Sequence, residues 1–297
     1  MHINIFVSKT CFLYCKGCYS FSRAEESKKI LSDDTIVEFL KYAHEQGANK
    51  VTLCGGDPLT RRDIINLLKR IKILGYLIYL DTVGTSIIRD IEQNGKTIIE
   101  KIDTEELVSL VDKIGIPIDG SNNEIFKKFR QTNMDLLREQ LSICEEINKY
   151  GGNICINTVA HKGNLEDAKN LSELINRLSY IYKWQIFQFA PLGKYGMLNR
   201  DLFEISAAEF DKFKKDVLST LCDVSKVQFK DLKARNKTYL MIDNLGDAWI
   251  PIYAPELFDE HTLGIEERKL IGNINEQKDW ENICKQLKKV RRRDNET

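Results

Sequence analysis

Three cysteines lie close together near the start of the chain, in the stretch "TCFLYCKGCYS" at residues 10–20. Cys11, Cys15 and Cys18 follow the spacing C-x3-C-x2-C, and no fourth cysteine lies nearby. Thiolates suit zinc, copper and iron–sulfur clusters. A structural zinc site normally has a fourth protein ligand, whereas three thiolates on a four-iron cluster leave one iron open to a small chelating molecule. The spacing therefore favours an open metal centre.

The composition excludes several classes of partner. Lysine plus arginine equals aspartate plus glutamate, at 44 each in 297 residues, so the net charge gives no support for binding to nucleic acid or to a membrane surface. The basic run at 288–293 is expected to be a solvated tail. No apolar stretch is long enough for a transmembrane helix, and the first residues do not form a signal peptide. We therefore expect a cytoplasmic protein, where clustered cysteines bind metal instead of forming disulfides.

Short apolar segments alternate with helical patterns over the first two-thirds of the chain. Strands are predicted at 3–7, 50–54, 76–83, 113–119, 154–159 and 183–189. Helices are predicted at 33–46, 61–74, 124–150 and 165–178, and Gly47, Gly75 and Gly151 stand where the first three should end. Residues 86–111 are expected to be an insertion with one or two short helices. Six βα units predict an α/β fold with a parallel sheet, closed or nearly closed like a partial barrel.

The pattern changes after residue 200, which suggests a core at 1–200 and an appendage at 201–297. Ser206 and Glu209 have capping-box spacing and predict a helix. Two strands joined by a turn are predicted at 238–252, a third strand at 269–274 and a final helix at 279–290. In an α/β barrel the catalytic face lies at the carboxyl ends of the strands. The cysteines follow the first strand and should lie at that face.

Two motifs together resemble those of the radical S-adenosylmethionine (radical SAM) enzymes. The family has C-x3-C-x2-C in the first βα loop, often followed by an aromatic residue, as Tyr19 follows here. "CGGDPL" at 54–59, ending the second strand, is similar to the family's Gly-Gly-Glu-Pro motif. Gly55 and Gly56 match it, and Asp57 replaces the usual glutamate. The resemblance implies that this backbone meets the amino group of the cofactor.

The resemblance continues at later strand ends and covers residues 3–192. The segment "DTVGT" at 81–85, which includes Thr82, ends the third strand, although Val83 replaces the usual asparagine. Further cofactor contacts implied by position are Asp119, Arg130 and Asn157. Gly17 is expected to let the loop backbone approach the adenine.

Membership of this family implies a fold, two cofactors and a reaction. The fold is a partial (β/α)6 barrel with a smaller α+β appendage. Cys11, Cys15 and Cys18 would hold one [4Fe–4S] cluster whose fourth iron chelates S-adenosylmethionine. Reduction by a carrier such as flavodoxin or ferredoxin would generate a 5′-deoxyadenosyl radical that removes a hydrogen atom from the substrate. The five other cysteines are isolated, unlike the cluster ligands of SPASM-type extensions, so we expect a single cluster.

The substrate is less well defined by the sequence. The C-terminal strands resemble those of peptide-modifying members, which favours tailoring of a peptide or related natural product, with a peptide or small molecule as the substrate. The order of segments after residue 154 also resembles viperin-like enzymes, which act on nucleotides, although Tyr19 and Ser20 depart from their Cys-Phe-His pattern. Activation of a glycyl-radical partner protein is a third alternative.

Overall fold

The computed structural model describes residues 1–19, 30–132, 134–235, 238–252 and 268–294. Within these ranges, strands and helices alternate as the sequence predicts. The strands of the main sheet are β1 (His2–Ser8), β2 (Lys50–Gly55), β3 (Leu77–Asp81), β4 (Lys113–Pro117), β5 (Ile154–Ala160), β6 (Lys183–Gln188), β7 (Val227–Lys230), β8 (Leu240–Ile242), β9 (Asp247–Pro251) and β10 (Arg268–Asn273). The six predicted strands correspond to β1–β6.

Helices follow most of these strands. They are α1 (Asp33–Glu45), α2 (Ile64–Ile73), α3 (Thr85–Ile88), α4 (Thr104–Leu110), α5 (Asn123–Phe129), α6 (Leu136–Lys149), α7 (Ala168–Asn176), α8 (Gly193–Leu198), α9 (Arg200–Phe203), α10 (Ala207–Thr220), α11 (Leu232–Arg235) and α12 (Trp280–Asp294). Gly47, Gly75 and Gly151 have positive φ, as expected for glycines that end helices.

The ten strands form one sheet in the order β7-β6-β5-β4-β3-β2-β1-β8-β9-β10. Every pairing from β7 to β8 is parallel, and β9 and β10 continue the sheet antiparallel. In the part of the chain that the structure describes, β7 and β10 each have one neighbour, so the sheet is open. This arrangement confirms the predicted α/β fold with its parallel sheet.

The two faces of the sheet differ in chemistry. Residues such as Ile3, Ile5, Leu53 and Ile114 join the main apolar core, together with buried residues of α1, α2, α6 and α7. Because strand side chains alternate between faces, the intervening residues point to the opposite face. We call this side, which carries Phe6, Cys54, Asp81, Lys113 and Asn157, the concave face. Many of these are polar, and they are described below.

The helix predicted over 124–150 is wrong, because this segment forms two helices. α5 ends at Phe129, and Arg130–Gln131 then pairs with Tyr14–Cys15 in an antiparallel bridge. α6 starts after Asp135, whose side chain accepts a hydrogen bond from the Arg138 N–H. Asp135 is an N-cap signal within an otherwise helical pattern.

Two further strand pairings were missing from the sequence prediction. Ile91–Gln93 and Lys96–Ile99 form a hairpin within the 86–111 insertion. Asn94 and Gly95 both have positive φ there, as an Asn-Gly hairpin turn requires. The strand β7 was also missed. Its apolar residues Val227 and Phe229 alternate with Gln228 and Lys230, whereas the predicted strands are continuous apolar runs.

The C-terminal elements follow the predicted order of helix, two strands, third strand and helix. The capping box of Ser206 and Glu209 is present at the start of α10. However, β8 pairs in parallel with β1, at Ile3 with Leu240, so the hairpin extends the main sheet. The division of domains at residue 200 stays a prediction. No helix within the described ranges is long and apolar enough to span a membrane.

Candidate functional site

The cysteine loop follows β1 and is held by contacts to distant segments. Cys15 pairs through its backbone with Arg130, and the Lys16 N–H donates to the Phe129 carbonyl at 3.0 Å. The Cys18 N–H donates to the Cys15 carbonyl at 3.1 Å, which turns the loop back on itself. All three cysteines pack in one apolar cluster. Of the three, Cys15 is buried, and Cys11 and Cys18 are partly buried at the edge of the cluster. The structure thus places all three cysteines in or against the same apolar cluster.

Burial disfavours the thiolate form of Cys11 and Cys15. It raises the pKa of the Cys11 thiol well above its ordinary value, and the Asp57 carboxylate adds to this shift. Burial raises the pKa of Cys15 to about 12, although the Arg130 guanidinium opposes the shift. A bound metal would have to displace these protons.

Arg130 links the loop to the carboxyl end of β4. Its Nε donates to Asp119 Oδ2 at 2.5 Å, and its Nη1 lies 3.6 Å from Cys15 Sγ. Asp119 is fully buried, and its Oδ1 accepts a hydrogen bond from the Val159 N–H at 2.7 Å. Two of the residues predicted to bind the cofactor therefore form an ion pair beside a cysteine. This contact places a fixed positive charge next to the thiols.

Asp57 and Thr82, two more predicted residues, are joined by a short hydrogen bond from the Thr82 hydroxyl to Asp57 Oδ1. The Leu59 N–H also donates to Oδ1, at 3.1 Å. Asp57 Oδ2 is buried, and no described residue donates to it. Burial raises the pKa of this carboxyl, while its hydrogen bonds oppose the shift. The backbone N–H groups of Val83 and Gly84 are among the groups that stabilise the ionised carboxyl, so Asp57 faces the loop after the third strand.

The two glycines before Asp57 allow the cysteine loop to lie directly on β2. A Cβ at Gly55 would come within 2.4 Å of the Ser8 carbonyl oxygen, and one at Gly56 within 2.2 Å of the Thr10 carbonyl oxygen. The Gly56 and Asp57 N–H groups donate to the same two carbonyls. Packing therefore accounts for these glycines, and their contact with the cofactor stays a prediction.

Gly17 also has a packing role. A Cβ there would lie 2.4 Å from the ring of Phe129 and 2.7 Å from the ring of Phe189. Its predicted approach to an adenine remains untested. Tyr19 is 40% exposed, and its ring lies 5.9 Å from that of Phe6 on the concave face.

Asn157 lies on the concave face and bonds to a residue that the sequence prediction did not single out. Its Nδ2 donates to Asp81 Oδ1 at 3.0 Å, across the intervening strand β4. A Cβ at Gly115 would lie 2.0 Å from Asp81 Oδ1 and 2.5 Å from Asn157 Nδ2, so this contact requires glycine. Burial raises the pKa of Asp81, and Lys113 opposes the shift.

Three cations on or beside the concave face were also missed. Lys113 Nζ lies 4.1 Å from the centre of the Tyr79 ring, and Lys230 Nζ lies 5.0 Å from that of Phe187. Arg235 Cζ lies 5.2 Å from the same Phe187 ring. The three are far apart in sequence, so no local motif could have identified them. We call Lys113, Lys230 and Arg235 the concave cations.

These cations are close enough to influence one another. Burial, with repulsion from Lys113 and Arg235, lowers the pKa of Lys230 to about 8, and Asp81 and Cys155 only partly offset this. Arg235 Nη1 donates to the Gln188 carbonyl at 2.9 Å, but its buried Nε has no acceptor among the described residues. Positive charge thus exceeds negative charge at this part of the face.

The fold and the cysteine loop define the class of protein. The model of the Radical SAM superfamily matches residues 5–175, which is more than half of the 297-residue chain. The chain belongs to this superfamily, whose members are enzymes that use a [4Fe–4S] cluster and S-adenosylmethionine.

Particular relatives differ in what they act on. The chain is 23% identical, over 90% of its length and 88% of the relative's, to an S-adenosylmethionine-dependent nucleotide dehydratase of Flammeovirga pacifica. It is 27% identical to an AdoMet-dependent heme synthase of Oleidesulfovibrio alaskensis, over 77% of the chain and 54% of the relative. The fold is similar to SuiB of Streptococcus suis bound to its precursor peptide SuiA, with a TM-score of 0.64, 16% identity, and coverage of 83% of this chain and 58% of SuiB.

The described residues fit the two cofactors of the family. In a [4Fe–4S] cluster each thiolate binds its own iron, so the thiols need not converge on one point. No three His, Cys, Asp or Glu side chains in the described ranges are placed to hold a single metal ion. The unpaired Oδ2 of Asp57 suits a cationic donor such as the amino group of S-adenosylmethionine. Arg130 offsets negative charge at the cysteines.

Proposed function

We propose that this radical SAM enzyme acts on a nucleotide bound to the concave face of its sheet, below the cysteine loop. The observation that carries the proposal is the group of concave cations, Lys113, Lys230 and Arg235. Lysine and arginine are the side chains that bind phosphate in proteins. These three cations repel one another on a partly buried face, so a bound polyanion would stabilise them more than a singly charged anion would.

Aromatic side chains on the same face support a nucleotide over a simple anion. Phe6 and Trp249 pack together with the thioether of Met241 on the β1 side of the face, and Tyr239 packs against them. The Tyr239 ring centre lies 6.0 Å from Lys230 Nζ, so the aromatic group adjoins the cations. Tyr239 is the partly exposed ring of this group, and a base can stack on it while its phosphates contact lysine and arginine.

Polar groups between these two regions suit a sugar. The Asp81 carboxyl and the Asn157 amide can exchange hydrogen bonds with hydroxyl groups. When bound, the cluster and S-adenosylmethionine supply a radical that abstracts a hydrogen atom. In this proposal the chain's own residues bind the phosphates, orient the sugar and exclude water from the reacting carbon. The similarity to a nucleotide dehydratase over most of both chains also supports this choice.

Equilibrium binding of a nucleoside triphosphate and of the unphosphorylated nucleoside tests the proposal. The triphosphate should bind more tightly, and Lys113→Ala or Arg235→Ala should weaken it by about 10- to 100-fold, since a hydrogen bond to a charged group contributes about 1.5–3 kcal/mol. Lys41→Ala, at an exposed position on α1, is the matched control. Equal affinity for nucleoside and triphosphate, or no effect of either variant, would overturn the proposal.

A peptide is the second candidate, favoured by a groove of about 920 Å³ lined by residues that follow β5, β6 and β7 and by residues of α10. Its lining mixes cations with carboxylates, including Lys162, Lys214, Asp201, Glu204 and Asp231. A groove with both signs of charge suits a peptide backbone with polar side chains. Binding of a precursor-like peptide that Asp231→Ala weakens and nucleotides do not compete would support this candidate.

A further inference from the structure

A buried arginine follows the glycine motif "CGGDPL" at 54–59. Arg61 is only 7% exposed, and its position in the sequence gives no indication of this burial. Arginine is rarely buried to this extent unless its guanidinium is paired. The partners of Arg61 therefore show what the residue does in the fold.

One nitrogen of Arg61 contacts the chain on both sides of the cysteines. Nη1 donates to the Val7 carbonyl at 3.1 Å and to the Leu31 carbonyl at 3.0 Å. Val7 lies in β1, before the first cysteine, and Leu31 lies after the last one, shortly before α1. All three cysteines therefore belong to a segment, residues 7–31, whose two ends meet at one side chain. We call residues 7–31 the cysteine segment.

Two carboxylates hold the guanidinium in this position. Nη2 donates to Asp33 Oδ1 at 2.5 Å, and Nε donates to Asp63 Oδ1 at 2.9 Å. Asp33 begins α1 and Asp63 directly precedes α2, so the guanidinium is attached to both helices. Nη2 also lies 3.5 Å from Asp63 Oδ2. With the two carbonyls, these contacts occupy all five N–H donors that an arginine side chain has.

The residue before Arg61 contacts the start of the same segment. Thr60 Oγ1 lies 2.6 Å from Ser8 Oγ and 3.3 Å from the Thr10 carbonyl oxygen. These contacts fix the start of the cysteine segment, whereas Arg61 also holds its end at Leu31. A contact that joins both ends of a segment restricts the conformations of every residue between them.

We propose that Arg61 is a positioning residue that closes the cysteine segment and so holds its thiols in place for the cluster. A segment that is already closed needs less ordering when its cysteines bind iron, so less of the binding free energy is lost. Arg61 acts through the backbone at Val7 and Leu31 and touches neither cluster nor substrate in this proposal. The proposal is independent of the substrate class.

The rate at which a maleimide alkylates Cys15 in the cluster-free chain tests the proposal. Arg61→Lys keeps the positive charge but has three N–H donors in place of five, so it cannot hold both carbonyls and both carboxylates. Alkylation of the buried Cys15, followed by peptide mass spectrometry, should be about tenfold faster than in the wild type. Cys144, buried on α6, is the internal control and should react at the wild-type rate, because a local opening leaves the core closed.

Arg70→Lys is the matched control variant. Arg70 pairs with Asp34 at 2.8 Å and so joins the same two helices, α1 and α2. The substitution should leave the alkylation rate of Cys15 unchanged. After anaerobic reconstitution, a chelator should remove iron about tenfold faster from Arg61→Lys than from the wild type or from Arg70→Lys.

A milder variant keeps the test decisive if Arg61→Lys does not fold. Asp63→Ala removes the carboxylate that orients Nε, and the Asp63 side chain makes no capping hydrogen bond to α2. Alkylation of Cys15 should rise in this variant too, by a smaller factor. The proposal is overturned if Cys15 reacts at the wild-type rate in both variants, if Cys144 accelerates as much as Cys15, or if Arg70→Lys has the same effect as Arg61→Lys. Because no substrate is present, a wrong substrate assignment would not affect this test.

Discussion

Lys230 is a residue of the concave face whose charge depends on pH near neutrality. Its neighbours are Lys113, Arg235, Asp81 and Cys155, and burial with the repulsion of the two cations lowers its pKa to about 8. Below this value Lys230 is protonated and can bind phosphate, and above it the charge is lost. Affinity for an anion should therefore fall as pH rises through about 8.

This dependence gives a direct measurement. We expect the dissociation constant of a nucleoside triphosphate to rise up to about tenfold between pH 7 and pH 9, as loss of one ionised contact implies. Lys230→Arg should remove most of the dependence, because arginine keeps its charge in this range. Titration calorimetry in buffers of different ionisation enthalpy would also detect proton uptake. A wild-type profile as flat as that of the arginine variant would contradict the assignment.

Arg130 shows how one residue can serve two segments. It neutralises Asp119, which is fully buried, and it approaches Cys15. Burial raises the pKa of Asp119, and the guanidinium opposes that shift. Removal of Arg130 would leave a buried carboxyl without its partner, which is a costly arrangement.

At the scale of elements, Gly115 in strand β4 has no side chain, which lets residues of the two neighbouring strands contact each other across it. The hydrogen bond between Asn157 and Asp81 passes over this residue. Gly115→Ala should displace both side chains and lower the free energy of unfolding by about 1 kcal/mol, the usual contribution of one hydrogen bond. Denaturant titration would measure the change.

A double-mutant cycle would show whether this effect comes from the hydrogen bond. In an Asn157→Ala background, where the bond is already absent, Gly115→Ala should cost clearly less than in the wild type. Equal costs in the two backgrounds would show that the alanine disturbs the backbone of β4 instead. Substrate affinity measured in the same variants would indicate whether the Asp81–Asn157 pair also orients the ligand.

At the scale of the whole molecule, the ten-stranded sheet of the described residues carries the cysteine loop, the concave cations and the C-terminal strands. One cluster per chain is expected from the three grouped cysteines, since the others are isolated in sequence. Anaerobic reconstitution should therefore yield about four irons per chain. Cys15→Ser should lose most of this iron, and Cys222→Ser, at an exposed cysteine, should retain it. A yield of roughly eight irons, or full retention in Cys15→Ser, would contradict the single-cluster assignment.

The order of strands and helices was predictable from sequence because it depends on local patterns. Runs of apolar residues marked β1–β6, and glycines marked the ends of α1, α2 and α6. The errors were also local in origin. The N-cap at Asp135 and the Asn94-Gly95 turn were present in the sequence but were outweighed by the longer patterns around them.

The site residues also differ in how far they could be predicted from sequence. Cys11, Cys15 and Cys18, with Gly55, Gly56 and Asp57, were identifiable because each group lies within a few residues of chain. Lys113, Lys230 and Arg235 come together only because the sheet order places β3, β4, β6 and β7 around one concave face. The chain has 44 lysines and arginines, and strand register decides which of them face that surface. Register is set by contacts between distant segments. The sequence by itself therefore determined the family chemistry, and the tertiary structure decided which charged side chains meet on the concave face.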